Sequence, residues 1–317
     1  MKIVTLTMNP SIDKSTSVDR IIPEQKMRCQ NPKFEAGGGG INVSKAIRRL
    51  GGDSTAVFPA GGPSGQLLSD LLHQENVDCQ AIAVQQWTRE NFIVVETLTN
   101  SQFRFGMAGA ELTAAEAQAC LDAVEAAKPA YLVASGSLPP GLPDDFFARV
   151  ARLAKEMGAK FILDTSGEPL KLAANEGVFL LKPNLSELSR MVGVEALEMD
   201  QVDEAAAEII GKGNCAVVVV SLGPLGALLV TKDGYEHAPA PTVHKKSTVG
   251  AGDSMVAGMT WSLAQGRTLR EMVRMGVACG SAATMNPGTE LFKATDVAKL
   301  YDWINAHASR HALSFGG

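Results

Sequence analysis

Apolar positions along this chain fall into two alternating rhythms. Short, nearly continuous runs ("AYLVASG", "KFILD", "VFLLKPN", "CAVVVVSLG") have strand length and are bounded by turn-forming residues. Between them, apolar residues recur at helical spacing. Val43, Ala46, Ile47 and Leu50 mark a helix over 41–50, and Leu67, Leu68, Leu71 and Leu72 mark another after a strand at 55–61. Further helices are predicted near 144–157 and 201–211, with a first strand at 3–7. "TAAE" from Thr113 to Glu116 fits a capping box and opens one more helix. Apolar runs of this kind are buried on both faces. Their alternation with helices predicts an α/β fold, a doubly wound and mostly parallel sheet between helices.

Two segments break the rhythm. Residues 12–34 are charged, alternating and strand-like, and "TRENFIVVETLTNSQFRF" (88–105) reads as two strands around a turn at Thr99 to Ser101. They are either a pair of edge hairpins or a small β lid over the sheet. The lid is preferred, because both interrupt the βα repeat in its N-terminal half. The expected division is 1–11, 36–86 and 107–317 for the α/β domain, and 12–35 with 87–106 for the lid. The tail "HASRHALSFGG" is expected to fray.

The totals narrow the function classes. The chain has 317 residues, 45% hydrophobic and 20% charged, as in ordinary globular proteins. A net charge of -5 gives no basic surplus for nucleic acid or an anionic membrane. The five cysteines are scattered without a CxxC pair, so a disulfide framework or zinc site is not expected. The apolar runs are too short to span a bilayer and the first residues read as a strand, so the expected location is the cytoplasm.

Three stretches carry candidate chemistry. In "STVGAGDSMVAGM", Gly250, Ala251 and Gly252 lead into Asp253 and a helical stripe. Bare backbone at a helix mouth is an anion site, although Asp253 could equally cap that helix. "AGGGGIN" also runs straight into a helix, without the spacing of a P-loop or a dinucleotide fingerprint. In "KPNLSE", Asn184 and Glu187 share a face if a helix starts there, an oxygen pair suited to Mg²⁺. Glu187 could equally be an N3 capping residue. The pair His307 and His311 lacks a third ligand, His244 reads as solvated loop, and the methionines after Asp253 and around Met272 to Met285 read as core filling.

Taken together, "GGGGIN", "KPNLSE" and "STVGAGDS", in this order and spacing, resemble the ribokinase-like PfkB carbohydrate kinases over nearly the whole chain. "TLTMNPSID", "WTREN", "SGSLPPG" and "SLGPLGA" resemble the branch acting on sugar phosphates. The resemblance implies Asp253 as the base that deprotonates the sugar hydroxyl. The amides of Gly250, Ala251 and Gly252 would form the anion hole, with Lys26 reaching the transferring phosphate. Asp13, Gly38, Gly39 and Asn42 would hold the sugar, and Arg89 and Ser137 its own phosphate. Lys182, Asn184, Glu187, Ser221 and Gly223 would serve ATP and Mg²⁺. Ser247, Val249, Ala283, Asn286 and Gly288 match a monovalent-cation site, allowing K⁺. Relatives resembling 1-phosphofructokinases and tagatose-6-phosphate kinases usually read GGKG, where this chain has Gly39. The all-glycine run, with "FEAGGGGIN" and "KMRC", is most similar to the 6-phosphofructokinase branch. That implies fructose 6-phosphate phosphorylated at C1, in glycolysis, by a homodimer joined through the lid. A tagatose-6-phosphate kinase or 1-phosphofructokinase is the alternative within the class, and a non-catalytic sugar-phosphate sensor on the same scaffold is the alternative of another class.

Overall fold

The apolar runs become the strands of one large sheet. The computed structural model describes residues 1–213, 215–288 and 290–308. In chain order they form β1 (Ile3–Leu6), β2 (Ser11–Val18), β3 (Lys33–Gly37), α1 (Gly39–Arg49), β4 (Thr55–Ala60), α2 (Gly62–Gln74) and β5 (Asp78–Ala83). Next come β6 (Arg89–Glu96), β7 (Ser101–Phe105), α3 (Ala114–Ala127), β8 (Tyr131–Ser135), α4 (Phe146–Glu156), β9 (Lys160–Asp164), α5 (Gly167–Ala174) and β10 (Val178–Leu181). The rest is α6 (Leu185–Val192), α7 (Val202–Gly211), β11 (Cys215–Ser221), β12 (Ala227–Thr231), β13 (Gly234–Ala238), α8 (Ala251–Ala264), α9 (Leu269–Thr284) and α10 (Ala294–His307).

The large sheet has the order β13-β12-β11-β10-β9-β8-β1-β4-β5. It is parallel from β11 to β5, and β12 and β13 close one edge antiparallel. Period-two alternation sends neighbouring apolar residues into different cores. Leu132 and Ala134 pack with Phe146, Phe147, Val150 and Leu181 on one face. Tyr131 and Val133 pack with Val43, Ile47, Met255, Met259 and Met272 on the other. Met255, Met259, Met272 and Met275 are therefore core filling, as expected, whereas Met285 is half-buried outside this core. Each such large side chain contributes about 1.5–3 kcal/mol by leaving water. Thr113 and Glu116 form the expected capping box on α3.

The two interrupting segments do not form separate hairpins. They join in a four-stranded sheet, β3-β2-β6-β7, in which β2 and β6 run parallel and both outer pairs antiparallel. Its root is fixed by Ile12 and Ala36, which pack with Phe58, Leu68 and Leu72 of the main body. Beyond the root one face is open. Register aligns Phe34, Lys14, Phe92 and Phe105 across all four strands, and the three phenylalanines are exposed. The Lys14 ammonium lies 5.0 Å from the Phe34 ring and 5.1 Å from the Phe92 ring.

Helix α1 starts two residues before the apolar stripe suggests. Gly38, at φ 116°, turns the chain and leaves Gly39 and Gly40 inside the first turn. His307 stacks on Trp303 at 4.1 Å, and His244 is exposed. His311 and the rest of the expected frayed tail lie outside the described residues. Among those described, none of the five cysteines forms a disulfide, and no cluster of three or more His, Cys, Asp or Glu could hold a metal. No described helix is long and apolar enough to cross a membrane.

Candidate active site

The carboxyl ends of parallel strands are where an open α/β sheet leaves a crevice. Here strand register sets the contents of that rim. Ser135 ends β8 and pairs with Asp164, which ends β9. Leu163 pairs with Leu181, so Lys182 emerges beside Asp164. Their side chains form an ion pair at 3.2 Å, with Lys182 only 6% exposed. Just beyond, Asn184 bridges to Ser221.

The mouth of α8 faces this rim. Gly250 takes the left-handed N-cap conformation (φ 71°) that a side chain would resist. Asp253 lies in the first turn, and its side chain makes no capping bond. Instead, one carboxylate oxygen accepts from Asn42 Nδ2 at 2.9 Å and the other from Ser135 Oγ at 3.1 Å. A Cβ placed on Gly252 would sit 3.5 Å from Lys182 Nζ, which shows how closely the helix mouth approaches the ion pair. Of the three expected anion-hole amides, that of Ala251 turns back to the Thr248 carbonyl at 3.4 Å; those of Gly250 and Gly252 have no backbone partner among the described residues.

Burial, with repulsion from Asp164, raises the Asp253 carboxyl from its ordinary 3.8 to about 6, against the Asn42 and Ser135 hydrogen bonds and the Lys182 charge. Burial would push Lys182 down, but Asp164, with Glu187 and Asp253, outweighs it and holds the ammonium above the usual lysine range. The cleft thus pairs a secured cation with a carboxylate poised near neutral pH, which suits a general base.

The other sequence-chosen residues group around this centre. Asp13, on β2, accepts from Ser11 Oγ at 2.9 Å and Asn91 Nδ2 at 2.8 Å through one oxygen, leaving Oδ2 for a ligand. Arg89 begins β6 and gives three N–H donors to the carbonyls of Pro10, Met107 and Asn9. Burial lowers its pKa against the Asp13 charge, and its remaining guanidinium donors are available. Ser137 accepts from Asn9 Nδ2 at 3.1 Å. Lys26 stands apart, exposed on the 19–32 segment, without a hydrogen bond or ion pair to the Asp253 group.

On the far side of Gly252 lies a cleft of about 400 Å³ lined by Ser221, Gly223, Pro241, Met255, Val277 and Thr284, among others. Its proline, methionine and valine walls suit a flat apolar ring. Asn184 and Glu187 form a reciprocal capping box: Glu187 N–H donates to Asn184 Oδ1 at 2.9 Å, and Asn184 N–H to Glu187 Oε2 at 2.8 Å. The capping role and a metal role are compatible, because Glu187 Oε1 stays available to a hydrated cation. Ser247 Oγ donates to the Gly288 carbonyl at 2.8 Å and accepts from Val249 N–H at 3.1 Å. Asn286 is tied back to the carbonyls of Ala282 and Ala283. The two segments of the expected cation loop are therefore laced together. A second cleft, about 420 Å³, lies at the opposite end of the sheet, where Arg48 is already paired with Asp53.

Comparison with known proteins decides the family. A family model described as pfkB family carbohydrate kinase matches residues 6–295. The chain belongs to that family. Among curated relatives, the ATP-dependent 6-phosphofructokinase isozyme 2 of Escherichia coli is 46% identical over 307 residues, covering 96% of this chain and 99% of the relative. A crystal structure of E. coli phosphofructokinase-2 in complex with potassium superposes with a TM-score of 0.93 at 45% identity, covering 96% of this chain and 99% of that one. Another, in complex with fructose-6-phosphate, gives 0.91 at 44% identity with the same coverage. The pfkB kinase fold and the doubly wound sheet expected from sequence are thus both present.

Sequence reasoning missed Asp164, Ser135 and Asn9. Asp164 and Ser135 end strands, and although Ser135 opens "SGSLPPG", the importance of both lies in which strand is the neighbour. Asn9 lies within "TLTMNPSID" but is not singled out there as a site residue, yet it touches both Arg89 and Ser137.

Proposed function

We propose that this chain phosphorylates fructose 6-phosphate at its C1 hydroxyl with MgATP, giving fructose 1,6-bisphosphate and ADP. The observation that carries the reading is Asp253: a carboxylate held by Asn42 and Ser135 at a glycine-bared helix mouth, with a pKa near 6. The high identity to the E. coli relative, named for this activity and crystallised with this sugar phosphate, supports the choice of substrate.

In this reading the C1 hydroxyl gives its proton to Asp253 while its oxygen bonds to the γ-phosphorus. The bond to the bridging oxygen breaks, and ADP leaves with that electron pair. The Gly250 and Gly252 amides, with Lys182, face the charge on the transferring group. Lys26 joins them when its segment closes over the sugar. Asp13, Gly38, Gly39 and Asn42 orient the ring, and Arg89 and Ser137 take the 6-phosphate. Ser221 and Gly223 border the nucleotide. Glu187 and Asn184 would hold Mg²⁺ through water, which neutralises phosphate charge when bound. Ser247, Val249, Ala283, Asn286 and Gly288 would hold K⁺, the ion named in the complex of the E. coli relative. The smaller sheet serves as a lid, and its exposed Phe34, Phe92 and Phe105 row pairs two copies into a homodimer. Catalysis in the cytoplasm fits the reduced cysteines.

Product analysis tests the reaction. Phosphorus NMR of fructose 6-phosphate with MgATP should show ADP and a new C1 phosphate ester forming in equal amounts. ADP with free inorganic phosphate, and no new ester, would refute transfer to the sugar.

A further inference from the structure

Gly39 poses a problem that ligand approach does not solve. It lies inside the first turn of α1 and its φ is not positive, so backbone conformation does not demand glycine. What demands it is contact. A Cβ at this position would lie 2.4 Å from Ser135 Oγ, 2.6 Å from the Ser135 carbonyl carbon and 2.8 Å from Gly136 N. Two of these atoms are backbone, so a side chain here, such as the lysine of the GGKG relatives, requires the start of α1 and the end of β8 to stand further apart than they do in this chain.

Ser135 itself is 2% exposed, at the end of β8. Its hydroxyl donates to one oxygen of Asp253 while Asn42 donates to the other. Two donors on two oxygens fix the plane of the carboxylate. A base whose lone pairs cannot rotate away stays aligned with the attacking hydroxyl.

We infer that Ser135 is a positioning residue for the base Asp253, and that Gly39 is kept bare so that the Ser135 hydroxyl stays on that carboxylate. The inference rests on the reading of Asp253 as the base. It gives Gly39 in this chain a packing role toward the base, in addition to a surface for the sugar. The hydroxyl also favours the ionised carboxylate. The other groups facing Asp253 are Asp164 from the end of β9, which opposes ionisation, and Lys182 after β10, which favours it, together with neutral Asn42.

The test is the pH dependence of kcat for wild type, Ser135→Ala, Gly39→Ala and the double variant, with melting temperatures alongside. Ser135→Ala should move the acid limb upward by about one pH unit, the worth of one hydrogen bond to a charged group. Gly39→Ala should move it in the same direction, and the double variant should move it no further than Ser135→Ala alone. A limb that stays in place in Ser135→Ala, whatever the melting temperature does, overturns the inference. Additive shifts in the double variant overturn the role given to Gly39. Should Gly39→Ala fail to fold, Ser135→Ala still decides the role of Ser135. A wild type with no acid limb at all would instead refute the base reading beneath it.

Discussion

Replacing Asp253 with asparagine should separate catalysis from stability, moving them in opposite directions. The substitution keeps the shape of the side chain and removes the proton acceptor. General-base catalysis is worth about 10²–10⁴-fold, so kcat should fall by that factor. Stability follows from the same carboxyl. In the folded chain its pKa is raised from 3.8 to about 6, so the ionised form is disfavoured by folding. That penalty is absent below pH 3.8, grows as pH rises through the interval, and is complete above about 6, where it amounts to about 3 kcal/mol. A neutral asparagine escapes it. The gain is an upper limit, because the new amide would face the Asn42 amide donor, which must flip, and only its carbonyl could accept from Ser135. A net stabilisation of about 1–2 kcal/mol at pH 7.5 is the expected outcome, read from denaturant midpoints at unchanged m-value. An ADP-coupled assay gives kcat, and titration with MgATP should show nearly intact nucleotide binding. Wild-type kcat in this variant would refute the base assignment. A variant destabilised by more than about 1 kcal/mol would refute the electrostatic account of the site.

Further outcomes follow from the same geometry. Wild-type kcat should fall about tenfold per pH unit below pH 6, since the base must be ionised and its carboxyl titrates at about 6; a rate flat down to pH 5 contradicts this. Arg89→Ala should raise KM for the sugar phosphate far more than for ATP, and equal effects would remove Arg89 from the phosphate subsite. Glu187→Gln should preserve stability within about 0.5 kcal/mol, since glutamine also serves at N3 of a capping box, while raising the Mg²⁺ needed for half-maximal rate; an unchanged Mg²⁺ dependence sinks the metal role. Asp164→Leu leaves the buried Lys182 ammonium without its partner and should destabilise the chain by about 3–5 kcal/mol, largely recovered in Asp164→Leu with Lys182→Met. Phe105→Lys should disrupt pairing of two copies in sedimentation velocity, and an unchanged sedimentation coefficient would place the interface elsewhere.

Local sequence carried most of the architecture, because a strand buried on both faces must be apolar throughout and a helix must show its stripe. The chemistry split differently. Asp253 was legible because glycines and a helix stripe surround it in sequence. Asn184 and Glu187 were legible as a spacing, and the spacing serves capping as well as any metal. What Asp164, Ser135 and Asn9 touch was not legible. Asp164 meets Lys182 because β9 and β10 are parallel neighbours in one particular register, and Ser135 reaches Asp253 from more than a hundred residues away. No single-chain pattern encodes which strand lies next to which. The two interrupting segments were expected together as one lid, but the parallel pairing of β2 with β6 was hidden for the same reason, since it depends on neither segment alone. Gly39 was read as a mark of substrate, and its contact with Ser135 gives it a second, mechanical reason.

The most direct test of the central claim is kcat/KM with MgATP for fructose 6-phosphate, tagatose 6-phosphate and fructose 1-phosphate, measured side by side. The account predicts a clear preference for fructose 6-phosphate. A preference for either rival would contradict it, leaving the fold and the Asp253 chemistry in place but assigning the sugar pocket to another substrate.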